Sequence, residues 1–404
     1  MDWYFLIVAV AIVFQVVFLF HTYRNFLNAL AKHKKKRLWH ELQVALIVPC
    51  KGLDLNFEKN IASFFKQDYE NYRLCFVVAD QSDPAYNELC KLKNQLSPTC
   101  KARDVQIFIA GQAKSCGQKT HNLFYCYQQI GNDVDILAFA DSDIIVRNDW
   151  LSHLVWPLRR SKTGVATGYR WFVPKKNNVA SLALSAINAK IAQQFGNTHF
   201  NQAWGGSMAI RVETFRQIGL DKIWPKSLSD DGPIGSAVRK AGMKAVFVPA
   251  CLVASYTSVS WRELFEFGRR QFLITRIYAP QAWWFGVLGS LYAVLCIWAT
   301  AVVAVYAATF EDKNILLFAA IPVFFLTNQL LQAIMRQAMI SKLLEKDWPQ
   351  MKAACAADIL GFWLWSPLML LLIISSAFGR TLCWRGIRYK LPSPTEIIIL
   401  DGNQ

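Results

Sequence analysis

The sequence predicts an α/β domain with a mostly parallel sheet, set between an N-terminal membrane helix and further membrane helices nearer the C-terminal end. Three observations predict it. The longest apolar runs lie toward the two ends of the chain. The region between them alternates β-rich runs with helix-like runs. Two carboxylates, Asp141 and Asp143, directly follow the apolar run Ile136–Ala140, and the strand ends of an open parallel sheet are where such folds keep their ligands.

The chain has 404 residues, enough for one large domain with added elements. A hydrophobic fraction of 54% exceeds that of an ordinary soluble protein. Residues 3–20 carry no charge over 18 positions, just enough to span a bilayer as a helix. Asp2 precedes this run and "FLFHTYRNF" closes it, so the basic start and small-residue cleavage site of a secretory signal are missing. Residues 1–22 therefore read as a retained anchor. Further apolar stretches at 282–310, 314–335 and 356–378 define a membrane region, 281–380, followed by a tail, 381–404. The polar region 40–280 between them gives the layout of a membrane-anchored enzyme rather than a transporter.

The net charge of +16 is concentrated beside the apolar segments. "KHKKKR" (Lys32–Arg37) follows the anchor and places the polar domain in the cytoplasm by the positive-inside rule. Basic residues there also attract anionic headgroups, and their position beside membrane segments argues against nucleic acid as the partner. Ten cysteines without a C-x-x-C pair, and six histidines without ligand spacing, indicate reduced thiols and no zinc site.

"VALIVPCKG" (Val44–Gly52) reads as a buried strand and loop, followed by a helical "NIASFFKQDY". "YRLCFVVAD" (Tyr72–Asp80) and "VQIFIAG" (Val105–Gly111) are further strands, with "CKLKNQL" helical between them. "GQKTHNLFYCYQQI" is helical, and "DILAFADSD" is the strand that ends at the carboxylate pair. "AWGGSMAIR" (Ala203–Arg211) is a small-residue turn that lets backbone approach a ligand. Asp230 and Asp231 precede a helix, and "VFVPACLVAS" (Val246–Ser255) is another strand. Such alternation predicts helices on both faces of the sheet.

A buried carboxylate pair is costly without a counter-charge. Mg²⁺ or Mn²⁺ removes that cost, and Mg²⁺ often takes one or two carboxylates plus phosphate oxygens. Asp-x-Asp after a buried strand thus suits a metal–diphosphate complex, while the plain alternative is a surface turn. Asp230 and Asp231 have a plain alternative too, as caps at a helix N-terminus.

In order and spacing, "PCKG", "VVADQSDP", "CGQKTHNL", "FADSDI", "AWGGSMAIR" and "LSDDGPIGSAVRKAGMKAVF" resemble the ceramide glucosyltransferase family. That group includes bacterial relatives linked to hopanoid and other lipid glycosylation. The resemblance covers roughly 40–280 and implies an inverting GT-A glycosyltransferase. It implies that Asp80 meets the uridine of the donor, that Lys119 and Asn122 lie near the donor, that Asp141 and Asp143 serve the metal and diphosphate, and that Asp231 is the catalytic base. His199 lies close to where some relatives carry a functional histidine. The family usually closes with (Q/R)-x-x-R-W, but "FGRRQFLITRIY" (Phe267–Tyr278) contains no Arg-Trp pair. Arg269, Arg270, Gln271 and Arg276 remain as diphosphate partners, against the alternative of a basic interfacial helix.

The reaction so implied moves a hexose from a UDP-sugar, UDP-glucose being the expected donor, to a lipid hydroxyl such as that of ceramide, giving a β-linked glycolipid. "NVASLALSAINAKIAQQF" (Asn178–Phe195) reads either as an amphipathic helix on the membrane or as an ordinary core helix. A processive polysaccharide synthase and a non-catalytic nucleotide-sugar or lipid binder are the rival readings, and the oligomeric state stays open. Topology has a loose end. Four full spans after a cytoplasmic start put the tail outside, yet "GRTLCWRGIRYKL" is basic.

Overall fold

The computed structural model describes residues 2–35, 37, 41–310 and 312–401. Lys36 of the basic run, the first residue of the 40–280 range and the last three of the tail lie outside the described residues. The sheet contains β1 (Val44–Pro49), β2 (Tyr72–Val78), β3 (Asp104–Ile109), β4 (Ile136–Ala140), β5 (Thr163–Pro174), β6 (Ser207–Arg211) and β7 (Lys244–Thr257). Their spatial order is β3-β2-β1-β4-β6-β5-β7. β3, β2, β1 and β4 are parallel, β6 is antiparallel to both β4 and β5, and β5 runs parallel to β7.

Strand periodicity explains the two-sided core. Val44, Leu46 and Val48 face one layer with Leu74, Phe76 and Trp150, while Ala45 and Ile47 face the other with Val77, Leu123 and Phe139. Helices cover both faces, so β1 and β4 are almost wholly buried. β5 was not apparent in the sequence because "TGVATGYRWFVP" mixes glycine, threonine and arginine into the apolar pattern.

The second halves of β5 and β7 carry the sheet to the membrane helices. Trp171, Val173, Leu252 and Ala254 pack in one cluster with Met339 and Ile340, joined by Ala29 of the first helix, Asp2–His33. Of the two readings of Asn178–Phe195, the core helix is the one observed. Helix Val179–Ala192 buries Ala183, Leu184, Ala186, Ile187 and Ala189. Its Ser185 hydroxyl donates to the Phe172 carbonyl, and Lys190 donates to Ser366 Oγ at 2.6 Å. It packs against β5 on one side and the C-terminal helices on the other.

Among the described residues three helices are long and apolar enough to cross a membrane: Trp3–His33, Pro280–Thr309 and Ile315–Leu343. Helices Trp348–Leu360 and Phe362–Ser375 meet at Gly361 with an 88° bend. A fully buried ion pair, Arg336 with Asp358, fastens this pair to the long helix, with Gln193 and Gln337 completing the network. The segment after the bent pair is folded. β8 (Thr381–Trp384), β9 (Ile387–Ser393) and β10 (Glu396–Asp401) form an antiparallel sheet. Leu382, Tyr389 and Leu391 pack it against Leu228, Leu273 and Tyr278 of the polar domain.

Candidate active site

Asp141 is the first residue after β4, and its backbone N–H donates to the Gly206 carbonyl at 3.3 Å. The turn "WGGS" thus lies against the carboxylates. A Cβ on Gly205 would sit 2.0 Å from Asp230 Oδ2, and one on Gly206 would sit 2.6 Å from Asp141 Oδ2. Only glycine permits this approach.

Lys119, in the first turn of helix Gln118–Ile130, reaches into the same space. Its Nζ is 2.7 Å from Asp141 Oδ1 and 3.0 Å from Asp230 Oδ2. The second contact is an ion pair without hydrogen-bond alignment, for Asp230 Oδ2 is buried and accepts no hydrogen bond among the described residues. Burial would lower the Lys119 pKa, but Asp141, Asp230 and Asp231 outweigh it and hold the ammonium charged. Burial pushes Asp141 up, yet Lys119 and Arg170 more than offset it and the acid ends below the usual range. Asp230 goes the other way: burial dominates and raises it to about 6, against the pull of Lys119.

Asp143 has no such partner. Burial first, then the Asp141 charge, raises its pKa, and its Oδ1 is a buried acceptor with nothing donating to it among the described residues. That orphaned oxygen fits a cation's ligand. Among the described residues no three acidic, imidazole or thiol side chains converge as a ready-made cage, so a cation here would lean on Asp143 and on phosphate oxygens.

Asp231 lies at the N-cap position of helix Gly232–Lys240 but does not cap it through its side chain. Its Oδ2 accepts from Gly205 N at 2.8 Å and its Oδ1 from the Ser229 hydroxyl at 2.5 Å. Ser229 Oγ in turn accepts from Gly232 N. The expectation that Asp230 caps the helix is therefore corrected: Asp230 is 2% exposed and faces Lys119. Asp231 is partly exposed.

The other expected residues are placed as follows. Asp80 is exposed just beyond β2 and accepts from Ser82 N at 2.7 Å, which lowers its pKa. No contact joins it to the Lys119 cluster among the described residues. Asn122 is buried one turn along from Gln118, whose Nε2 donates to its Oδ1 at 2.8 Å. Helix Trp261–Tyr278 carries the basic segment behind a capping box of Ser260 and Glu263. Arg276 is spent on the carbonyls of Ala377 and Gly379, and Arg269 on those of Ser375, Phe378 and Thr381. Both fasten the C-terminal segment instead of facing the carboxylates, which corrects the expectation of a donor contact for Arg276. Arg270 lies over the Phe267 and Trp384 rings and, among the described residues, donates only to the Cys383 carbonyl, at 3.4 Å. Gln271 is half-buried.

Two arginines beside the carboxylates were not anticipated. Arg170, on β5, lies over Phe172, Trp204 and Phe267, and its charge acts on Asp141 and Asp143. Arg385, between β8 and β9, pairs with Asp54 at 3.2 Å, and Asp54 accepts from Ser142 Oγ at 3.0 Å. Nothing local in the sequence marks either. β5 was not read as a strand, and Arg385 is remote in the chain from every acid it serves.

A family model described as glycosyl transferase family 21 matches residues 3–397. Among solved structures, the chain is similar to the mannosyltransferase PcManGT from Pyrobaculum calidifontis, in complex with GDP-Man and Mn²⁺, at 13% identity and a TM-score of 0.47, over 92% of this chain and 97% of that one. It is also similar to GalNAc-T7 with UDP, GalNAc and Mn²⁺, at 13% identity and a TM-score of 0.37, over 62% of this chain and 51% of that one.

Proposed function

The chain belongs to glycosyl transferase family 21, and we propose that it moves a hexose from a UDP-sugar, UDP-glucose foremost, to the hydroxyl of a membrane lipid such as ceramide, with inversion at the anomeric carbon. The family makes it a glycosyltransferase, and the GT-A layout carries the site between helices of membrane-spanning length. The observation that carries the finer reading is the Lys119 bridge between Asp141 and Asp230, with Asp143 two residues beyond the one and Asp231 next to the other. There an unpartnered acid, a fixed cation and a partly exposed carboxylate supply what transfer from a nucleotide sugar requires.

In this reading Asp143, with Asp141 beside it, would hold Mg²⁺ or Mn²⁺. When bound, the ion neutralises charge on the leaving diphosphate. Lys119 keeps Asp141 ionised and fixed in place, so little reorganisation is needed as charge develops. Asp231 takes the proton from the acceptor hydroxyl as it attacks. The Gly205 N–H and the Ser229 hydroxyl orient its carboxylate and leave it partly open to the cleft. A single displacement with one base converts an α-linked donor into a β-glycoside. Asp80 serves the uridine end, and Asn122 lies near the donor.

A lipid acceptor is supported by the direct packing of β5 and β7 onto the long apolar helices. The cytoplasmic setting is supported by the basic residues after the first helix. Purified protein in detergent, offered several UDP-hexoses with ceramide, diacylglycerol or a hopanoid, tests the reading by mass spectrometry of the product. One hexose added to a lipid is the expected result. A polymer ladder would select the processive synthase, and no transfer from any UDP-sugar would sink the donor assignment.

A further inference from the structure

We infer that Arg385, delivered by the C-terminal three-stranded sheet, binds the donor diphosphate and with Trp384 stands in for the Arg-Trp pair that Phe267–Tyr278 lacks. The identity of the ligand rests on the function proposed above.

The geometry of the turn is the first support. Trp384 pairs with Ile387, so Arg385 and Gly386 are the two central residues of a hairpin turn. Their φ angles are 47° and 85°, the pattern of a type I′ turn. Glycine suits that backbone and arginine does not. A non-glycine residue held in the left-handed region points to a side chain needed at that place. Asn or Asp would be the ordinary choice if the turn only had to close.

The surroundings are the second support. The turn is clamped to the loop after β1: Lys51 Nζ donates to the Arg385 carbonyl at 3.0 Å, and Arg385 Nη1 donates to the Lys51 carbonyl at 2.9 Å. Asp54 joins the Arg385 guanidinium to Ser142, the residue between Asp141 and Asp143. The Arg385 charge also acts on Asp143 and Asp141. The tail is thus wired to the Asp-Ser-Asp loop itself.

The third support is a group of three arginines. Arg170, Arg270 and Arg385 lie close enough for their charges to repel. Among the described residues only Arg385 has a carboxylate partner within ion-pair distance. Arg170 and Arg270 are held against aromatic faces, Arg270 between Phe267 and Trp384. Three neighbouring guanidiniums, with Asp54 alone in ion-pair contact and Asp141 and Asp143 nearby, suit an anion with several oxygens. A diphosphate beside Asp143 answers that description, and Trp384 holds Arg270 beside the turn that carries Arg385.

Full-length protein in detergent, titrated calorimetrically with UDP and with uridine at constant Mn²⁺, tests the inference. R385Q should weaken UDP roughly 10- to 100-fold, as expected for loss of charge-assisted hydrogen bonds, while uridine binding stays the same and reports an intact site. D54N frees Arg385 from its tether without removing it, so UDP should bind as well as to wild type or better. UDP binding unchanged in R385Q would overturn the inference and leave the proposed function standing. Equal losses in R385Q and D54N would also overturn it, since Arg385 would then only fasten the tail. Wild-type protein that prefers UDP no more than uridine would remove the diphosphate from this site altogether, and with it the sugar-nucleotide donor.

Discussion

Asp141 and Asp230 share one counter-ion, the Lys119 ammonium, at 2.7 and 3.0 Å. Removing it strands two acids in a poorly solvated place. K119M should cost about 3 kcal/mol, the lower end for breaking a buried pair, because Lys119 retains 18% side-chain exposure. Thermal unfolding in detergent checks this, and adding D230N should recover part of the loss. A K119M protein as stable as wild type would show that the cluster contributes nothing to the fold.

The Asp230 pKa of about 6 sets a pH window. Between about 4 and 6 the folded state holds a proton that the unfolded state, with an ordinary Asp near 3.9, releases. This group's contribution to stability therefore falls as pH rises through that window and is level above it. D230N removes the effect, so its stability relative to wild type should rise by on the order of 2 kcal/mol from pH 4 to 7. A difference that stays flat with pH would contradict the raised pKa.

Asp231 and Asp230 should separate in catalysis. D231N keeps the shape and loses the base, so turnover should fall roughly 10²- to 10⁴-fold with UDP-sugar binding nearly unchanged. D230N should cost less. If D230N is the deader enzyme while both variants fold and bind donor, the base is Asp230.

D143A should abolish turnover, and excess EDTA should do the same to wild type. Activity that survives either treatment argues against a cation on Asp143.

Lys114, exposed in the loop before helix Gln118–Ile130, should resist a membrane-impermeant amine reagent in intact cells and react once the cells are opened. Efficient labelling of intact cells would reverse the proposed orientation.

The parallel half of the sheet was legible because strands buried on both faces read as unbroken apolar runs, as at Val44–Pro49 and Ile136–Ala140. The acids were legible because they end such runs or open a helix. β5 was hidden by its mixed pattern, and with it Arg170. The C-terminal sheet was hidden for a different reason. Its strands are short and charged, and its turn is Arg-Gly where Asn-Gly or Asp-Gly is the usual signal. The Lys119 bridge is a tertiary fact: its three members come from a helix, a strand end and a loop far apart in the chain. Sequence spacing placed Asp230 at a helix start, where a cap is the local expectation, but burial beside Lys119 decided its role.

The clasp between Arg385 and Asp54 also counts membrane crossings. Two groups that touch lie on one side of a bilayer, so the chain between residues 280 and 381 must cross an even number of times. Pro280–Thr309 and Ile315–Leu343, both long and apolar enough to cross, would make two. A third complete crossing by the pair bent at Gly361 would carry Arg385 away from its partner. With those two crossings made, the pair bent by 88° would have to return to the face it left, dipping into the bilayer or lying along it. The basic hairpin and the acids it serves are kept in the same compartment, and the fourth apolar stretch would then be a floor rather than a pillar.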